Sequence, residues 1–461
     1  MAVHERSLLD QAFSRAAGAK RIGGNAVRLL RDAAESYPAW LDAIASAERY
    51  VHFESHIIRA DASGRRFADA LMAKARAGVR VRVLYDWMGA VGKTPGRFWR
   101  AMRAAGAEVR CFNPLRLSSP LGWVHRDHRK SLVVDGMVGH VTGLCVGDAW
   151  VGDPTRGIAP WRDTGVEVRG PAVAEIERAF ERTWAAAGPP LASDDRDRQP
   201  PGPAGDVTVR IVASEPARGA VLRTDELVAA AARETLWLSD AYFAGLPSYV
   251  QALRAAALDG VDVRLLVPGG TDIPLLRPLS RAGYRPLLEA GVRVFEWNGP
   301  MMHAKTAVAD GRWARVGSSN LNMASWVGNY ELDAMMEDVP FAERMMRQYE
   351  TDLGNATEVH LQESRSARRS RPCARGAGSA GRAAAGALRI GNTVSAAVAG
   401  HRVLAPADAR ILGGVGLTLL LGAVVAAVWP RLLAWPFGLL LVWLGGALLA
   451  RAVRLWRERP R

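Results

Sequence analysis

The chain has 461 residues, 49% of them hydrophobic, and a formal net charge of +14. That is ample for two domains of ordinary size plus further segments. Its three cysteines, Cys111, Cys145 and Cys373, show no metal spacing and no even set, which excludes a disulfide scaffold and points to a reducing compartment.

The chain opens Met-Ala-Val-His-Glu-Arg without the apolar core of a secretory signal, so the catalytic part is expected in the cytoplasm. Residues 77–84, Ala-Gly-Val-Arg-Val-Arg-Val-Leu, follow an alanine-rich helical run and read as a glycine turn into a buried strand. A second such strand, residues 105–110, leads toward His128-Arg129-Lys130, with Asp135 closing the pattern H-x-K-x4-D. Residues 188–206 are charged, proline-rich and without periodicity, which reads as a linker. The pattern then repeats. Residues 259–266 echo 77–84, residues 290–294 echo 105–110, and His303-Ala304-Lys305 with Asp310 echoes the first motif and continues into Gly317-Ser318-Ser319-Asn320. Corresponding features lie 175 to 185 residues apart. Helix, glycine and buried strand in succession is an α/β signature, so two similar α/β lobes are predicted over 1–187 and 207–360, each a mixed sheet with outer helices, with the motif strands facing each other across a pseudo-two-fold axis.

Beyond residue 360 the composition changes. Residues 361–410 form a basic, low-complexity tether, poorest in large apolar side chains over 365–386. Residues 411–429 and 432–450 are two uncharged 19-residue runs separated only by Pro430-Arg431. As helices each would span about 28 Å, close to a bilayer's hydrocarbon thickness. The segment 411–461 is therefore read as a transmembrane helical hairpin with a basic tail, the alternative being a pair of buried helices in a soluble domain. Arg402 and Arg410 flank one end and Arg451, Arg454, Arg457, Arg459 and Arg461 the other, against Arg431 in the turn, which places both ends in the cytoplasm.

In H-x-K the imidazole and ammonium project from the same face of a strand, because side chains two apart point together. Two such halves meeting in one cleft supply two imidazoles and two ammonium groups, suited to a phosphodiester. One histidine attacks phosphorus, the other protonates the departing oxygen, and the lysines offset the charge of the non-bridging oxygens, with no metal or cofactor required. Asp135 and Asp310 belong to this candidate catalytic set by their motif, but each precedes a glycine and reads better as the start of a turn. His52, His56 and His125 carry no such pattern and are left unassigned.

These residues resemble the phospholipase D superfamily, and more narrowly its bacterial cardiolipin synthase branch. The resemblance covers residues 20–360 and includes Gly24-Asn25, Tyr85-Asp86, Trp161-Arg162-Asp163 and Asn329-Tyr330-Glu331. It implies a covalent phosphohistidine on His128 with His303 as general acid and then base, or the reverse. It further implies that Lys130, Lys305, Ser318 and Asn320 grip the phosphate, and that Asp163 and Glu331 orient the imidazoles. Thr142-Gly143-Leu144-Cys145 departs from the family's usual Gly-Gly-x-Asn, and Cys145 reads as a small buried apolar residue in place of a lost amide. The resemblance implies transfer of a phosphatidyl group from one phosphatidylglycerol to a hydroxyl of another, or phospholipid hydrolysis if water is the acceptor.

Charge selects among partners. Residues 361–461 hold 15 arginines and no lysine against three acids, a net of +12, leaving the rest of the chain near +2. A nuclease would carry its charge on the catalytic lobes, whereas arginines beside apolar helices attract anionic headgroups. The expected partners are an anionic phospholipid membrane and phospholipid substrates, with no nucleic acid. A nucleic-acid phosphodiesterase, and a non-catalytic membrane scaffold weakened at Cys145, are the competing readings.

Overall fold

The structure is a computed structural model that describes residues 2–114, 124–192, 195, 199–273 and 276–361, with isolated positions between 435 and 449. Residues 1–114 and 124–364 form one compact unit, and 115–123 with 365–461 fall in a second.

The first unit is built on one fifteen-stranded sheet. The first repeat supplies β1 (Ile22–Arg31), β2 (Tyr50–Ser55), β3 (Arg80–Asp86), β4 (Glu108–Phe112), β5 (Lys130–Val134), β6 (Val138–Thr142) and β7 (Thr164–Arg169). The second supplies β8 (Val207–Ser214), β9 (Thr235–Ser239), β10 (Asp262–Pro268), β11 (Arg293–Trp297), β12 (Thr306–Ala309), β13 (Trp313–Gly317) and β14 (Glu331–Glu337), followed by β15 (Ala356–Val359). The spatial order is β4-β3-β2-β5-β6-β7-β1-β8-β14-β13-β12-β9-β10-β11-β15. Outward from the centre, the second repeat therefore reproduces the first strand for strand, and β15 is an addition at its edge. The sheet is continuous because β1 and β8 pair antiparallel, Asn25 opposite Val207. Within each repeat the three strands joined by helical crossovers are parallel and the others antiparallel.

Burial follows strand type. β3, Arg-Val-Arg-Val-Leu-Tyr-Asp, is buried at every position but its first, the pattern of a strand covered on both faces. At the middle of the sheet Val133, Val141, Val166 and Val168 join Val209, Ile211, Val308, Val316 and Leu332 in one core. The same core takes Val173 and Ile176 from the helix Val173–Ala186, and Phe341 and Met345 from the helix Val339–Leu353. This shared core sets the motif strands β5 and β12 on either side of the seam between the repeats.

Asp135-Gly136 and Asp310-Gly311 make the tight turns after β5 and β12, all four residues at positive φ. Asp-Gly suits a type I′ turn, which requires this conformation at both central positions, and the turns are closed by Met137 N–H to Val134 O at 3.0 Å and Arg312 N–H to Ala309 O at 3.1 Å. Each aspartate also anchors its turn to a neighbouring strand. Asp135 accepts from the backbone N–H of Glu48, Arg49 and Tyr50 at 2.8 to 2.9 Å, and Asp310 from those of Arg233, Glu234 and Thr235 at 2.9 to 3.0 Å.

The connector read as a linker packs in part on the first repeat. Leu191 is buried with Phe180 and Trp184, and Asp195 accepts from Arg82 at 2.6 Å. The tether over 361–410 lies, apart from Leu361, outside the described residues, and so does the hairpin over 411–461 except for isolated helical positions such as Trp435, Leu441 and Trp443. Among the described residues no helix is long and apolar enough to cross a membrane.

Candidate active site

β5 begins at Lys130 and β12 immediately after Lys305, so the motif histidine, two residues before each lysine, sits just outside its strand, at the seam. Backbone bonds across the seam fix both histidines: His128 N–H donates to Tyr330 O at 3.0 Å, and His303 N–H to Arg162 O at 2.7 Å. Each of those carbonyls directly precedes an acidic residue of the opposite repeat. His128 Nδ1 consequently lies 2.9 Å from Glu331 Oε2, and His303 Nδ1 2.6 Å from Asp163 Oδ2. An ionised carboxylate only accepts, so this geometry places the proton on Nδ1 and leaves Nε2 with a lone pair. Each imidazole takes its carboxylate partner from the opposite repeat.

Further contacts hold the carboxylates. Trp150 Nε1 donates to Asp163 Oδ2 at 3.1 Å, and Asn329 Nδ2 to Glu331 Oε1 at 3.3 Å. The Ser318 hydroxyl also donates to Glu331 and receives the Leu332 N–H at 2.9 Å. Gly143 is required beside Asp163, because a Cβ there would sit 2.2 Å from Asp163 Oδ1.

The two lysines are buried, and each ammonium donates to the carbonyl of its own motif histidine. Lys305 Nζ is also 2.8 Å from His303 Nδ1. Burial, reinforced by the charge of Lys130 and then Lys305, holds His128 well below the usual histidine range. Burial and Lys305 bring His303 down to about 4, against the opposing pull of Asp163. Burial lowers Lys305 to about 8. Burial pushes Asp163 upward, but the charges of His303 and Lys305 outweigh it and the carboxyl stays below its ordinary range; burial wins at Glu331, which is raised. The resting site thus offers two neutral imidazoles between buried cations, one able to attack phosphorus and the other to take up a proton and pass it on around a phosphodiester anion.

Among the residues expected from the sequence, His128, Lys130, His303, Lys305, Asp163, Glu331 and Ser318 come together here. Asn320 is buried nearby on the turn after β13, and its Oδ1 has no hydrogen-bond partner among the described residues. Asp135 and Asp310 stand apart, past the far ends of β5 and β12, each five residues from its motif lysine; a five-residue separation along a strand is roughly 16 Å. Their carboxylates are occupied by the backbone N–H groups described above.

The altered first-repeat turn has a local explanation. Thr142 faces Gly165 across β6 and β7, where the second repeat sets Gly317 against Asp333. A Cβ on Gly165 would lie 2.8 Å from Thr142 Oγ1, and one on Gly317 would lie 2.3 Å from Asp333 Oδ1. Each pair has room for one side chain, and the repeats place it on opposite strands. Cys145 occupies the position of Asn320, is buried, and is held as a neutral thiol chiefly by that burial.

Of four further residues at the site, only Trp161, named within Trp161-Arg162-Asp163, carried a sequence signal. His56 packs edge-on to His128 with ring centroids 5.0 Å apart, and its Nδ1 lies 2.9 Å from Asp127 O. Trp150, Trp161 and Tyr242 surround His303 at centroid distances of 5.5, 5.6 and 6.1 Å. Only the register Ser55 opposite Lys130, which no spacing encodes, brings His56 to the motif.

A duplicated mixed α/β sheet with a His-Lys pair from each repeat, and each imidazole clamped by a carboxylate of the other, defines a phospholipase D-like protein. The family model for the cardiolipin synthase, phospholipase D-like domain matches residues 40–184 and 228–353. A cardiolipin synthase of Geobacillus kaustophilus is 32% identical over 79% of this chain and 73% of its own length, and cardiolipin synthase A of Pseudomonas fluorescens 34% over 76% and 72%. The phosphatidylserine synthase of Haemophilus influenzae shares the fold, with a TM-score of 0.60 at 13% identity over 76% of this chain and 92% of that one. The chain belongs to the cardiolipin synthase family and is an enzyme of the phosphatidyltransferase class.

Proposed function

We propose that the protein makes cardiolipin by moving a phosphatidyl group from one phosphatidylglycerol to a hydroxyl of a second, through a phosphohistidine intermediate. The observation that carries this reading is the reciprocal clamp, His128 on Glu331 and His303 on Asp163, which presents two Nε2 lone pairs to one cleft. His303 Nε2 takes up a proton from solvent as the substrate binds; His128 Nε2 then attacks phosphorus, and glycerol leaves with that proton from His303. His303 then takes the proton of the incoming hydroxyl as that oxygen displaces His128, so both histidines return to their starting state. A phosphodiester anion between Lys130 and Lys305 offsets the charges that depress the imidazoles, so substrate binding itself favours the protonated form of His303. The two lysines and the Asn320 amide hold the non-bridging oxygens. Ser318 acts on Glu331 and thereby on His128, and Asp135 and Asp310 hold the strand turns.

The two uncharged 19-residue runs and the surrounding arginines support a bacterial inner-membrane location with the catalytic unit on the cytoplasmic side and anionic phospholipid as its surface. The test is reconstitution of the full chain with phosphatidylglycerol alone, with products resolved by mass spectrometry. Cardiolipin and glycerol in equal amounts are expected. Phosphatidic acid as the sole lipid product would replace transfer with hydrolysis.

A further inference from the structure

The His303 end of the cleft contains a hydrogen-bonding pair that phosphate chemistry does not use. Tyr242, whose ring lies 6.1 Å from that of His303, donates its hydroxyl hydrogen to Asp272 Oδ1 at 2.7 Å. Tyr242 is half-buried and Asp272 exposed, so the pair faces outward from the imidazole. Thr271 Oγ1 approaches the same carboxylate oxygen at 3.5 Å, while Asp272 Oδ2 has no partner among the described residues. With its proton committed to Asp272, the phenol keeps only lone pairs, and a carboxylate has nothing else. The pair is therefore acceptor-only. A phosphate brought there would meet negative charge, whereas a group bearing several hydroxyls would find acceptors for each. Trp161, half-buried and 5.6 Å from His303, adds an apolar face on which the carbons of a short polyol can rest.

The His128 end differs. There the neighbour is the neutral ring of His56, itself held by Asp127 O, and among the described residues no exposed carboxylate is hydrogen-bonded into the pocket. In an in-line displacement at phosphorus the departing and the incoming alcohol both occupy the side away from the attacking histidine, which with His128 attacking is the side of His303. One subsite thus handles the alcohol in both half-reactions.

We infer that Tyr242 and Asp272 form the alcohol-selecting subsite of the enzyme, accepting hydrogen bonds from the free hydroxyls of a glycerol headgroup as its reacting oxygen lies at His303. This deepens the transfer reading above and rests on it. Tyr242 and Asp272 are binding residues here, and their signature is a change in which alcohol is chosen.

The test is a partition experiment, because a product ratio is independent of how much of a variant is folded. The full chain, reconstituted in phosphatidylglycerol vesicles, is given deuterated glycerol and ethanol together, and labelled phosphatidylglycerol and phosphatidylethanol are quantified. Wild type is expected to favour glycerol over ethanol at equal concentration. Asp272→Ala is expected to lower that preference about tenfold, the loss of one to two hydrogen bonds to a charged acceptor, and Tyr242→Phe to lower it by a smaller factor. Asp272→Asn keeps one acceptor oxygen and is expected to fall between wild type and Asp272→Ala. A glycerol-to-ethanol ratio unchanged in both Asp272 variants overturns the assignment. So does an unchanged ratio accompanied by a collapse of ethanolamine transfer in a parallel competition, which would make the subsite one for an ammonium alcohol. Wild type that forms phosphatidic acid and neither transfer product removes the reading beneath, and the subsite with it.

Discussion

The two repeats build the same strands and the same motif but give their histidines unlike surroundings. His303 sits on an ionised Asp163 within a cage of Trp150, Trp161 and Tyr242. His128 sits on Glu331, a carboxylate raised by burial and tied by Ser318 and Asn329, with His56 against its ring. On the proposed mechanism, the difference is that of a duplication that keeps a shared phosphate grip while dividing labour. Backbone geometry is retained because each repeat's histidine is fastened to the other, and side chains around it are free to diverge. A low-pKa carboxylate behind His303 stabilises the imidazolium that an acid and base must become, which fits the role proposed for it.

The largest effect expected is from breaking the clamp itself. His128→Ala and His303→Ala should each abolish measurable transfer, and their double variant should lose no more than either, since the two act as one unit; a double variant much worse than both would show independent contributions. Asp163→Asn and Glu331→Gln keep shape but permit the wrong tautomer, and each should cost roughly 10²- to 10⁴-fold in kcat with KM little changed. The comparison sharpens if Asp163→Asn is the more damaging, because only that carboxylate is held ionised below its ordinary range.

A pH profile separates the cations. Burial brings Lys305 down to about 8, so its charge is present below that pH and lost above it. The profile of kcat/KM should fall on the alkaline side near that value, and Lys305→Arg, which does not titrate in this range, should move the fall upward. An unmoved limb would assign it to another group.

The smallest effect expected concerns the altered turn. Gly165→Ala forces a methyl against Thr142 and should destabilise the catalytic unit by about 1–3 kcal/mol in denaturant unfolding. Adding Thr142→Gly should restore most of it. No recovery would mean that the two positions do not compensate each other.

The duplication, the strand type and both His-Lys pairs were legible in the sequence because side-chain periodicity and motif spacing are local. The acidic partners were legible as types, since Asp163 and Glu331 each follow their motif in the chain. Their crossing over to the opposite histidine was not, because it depends on the antiparallel β1 and β8 seam, which joins segments more than 180 residues apart. His56 was passed over for the same reason: its approach to His128 is set by pairing of β2 with β5. Thr142 looked like a defect when read alone; Gly165, the residue that accommodates it, is visible only once the two strands are in register. The motif aspartates show the converse, since Asp135 and Asp310 followed by glycine already spelled a turn.

The most direct test of unequal histidines uses phosphatidyl-p-nitrophenol, whose leaving group departs without an acid. In His303→Asn the first step can proceed while the base for the second is missing, so intact-protein and peptide mass spectrometry should find one phosphatidyl group on His128, and none should form on His128→Asn. An adduct on His303 in the His128→Asn enzyme, or its absence from His128 in His303→Asn while nitrophenol is released, would contradict the account.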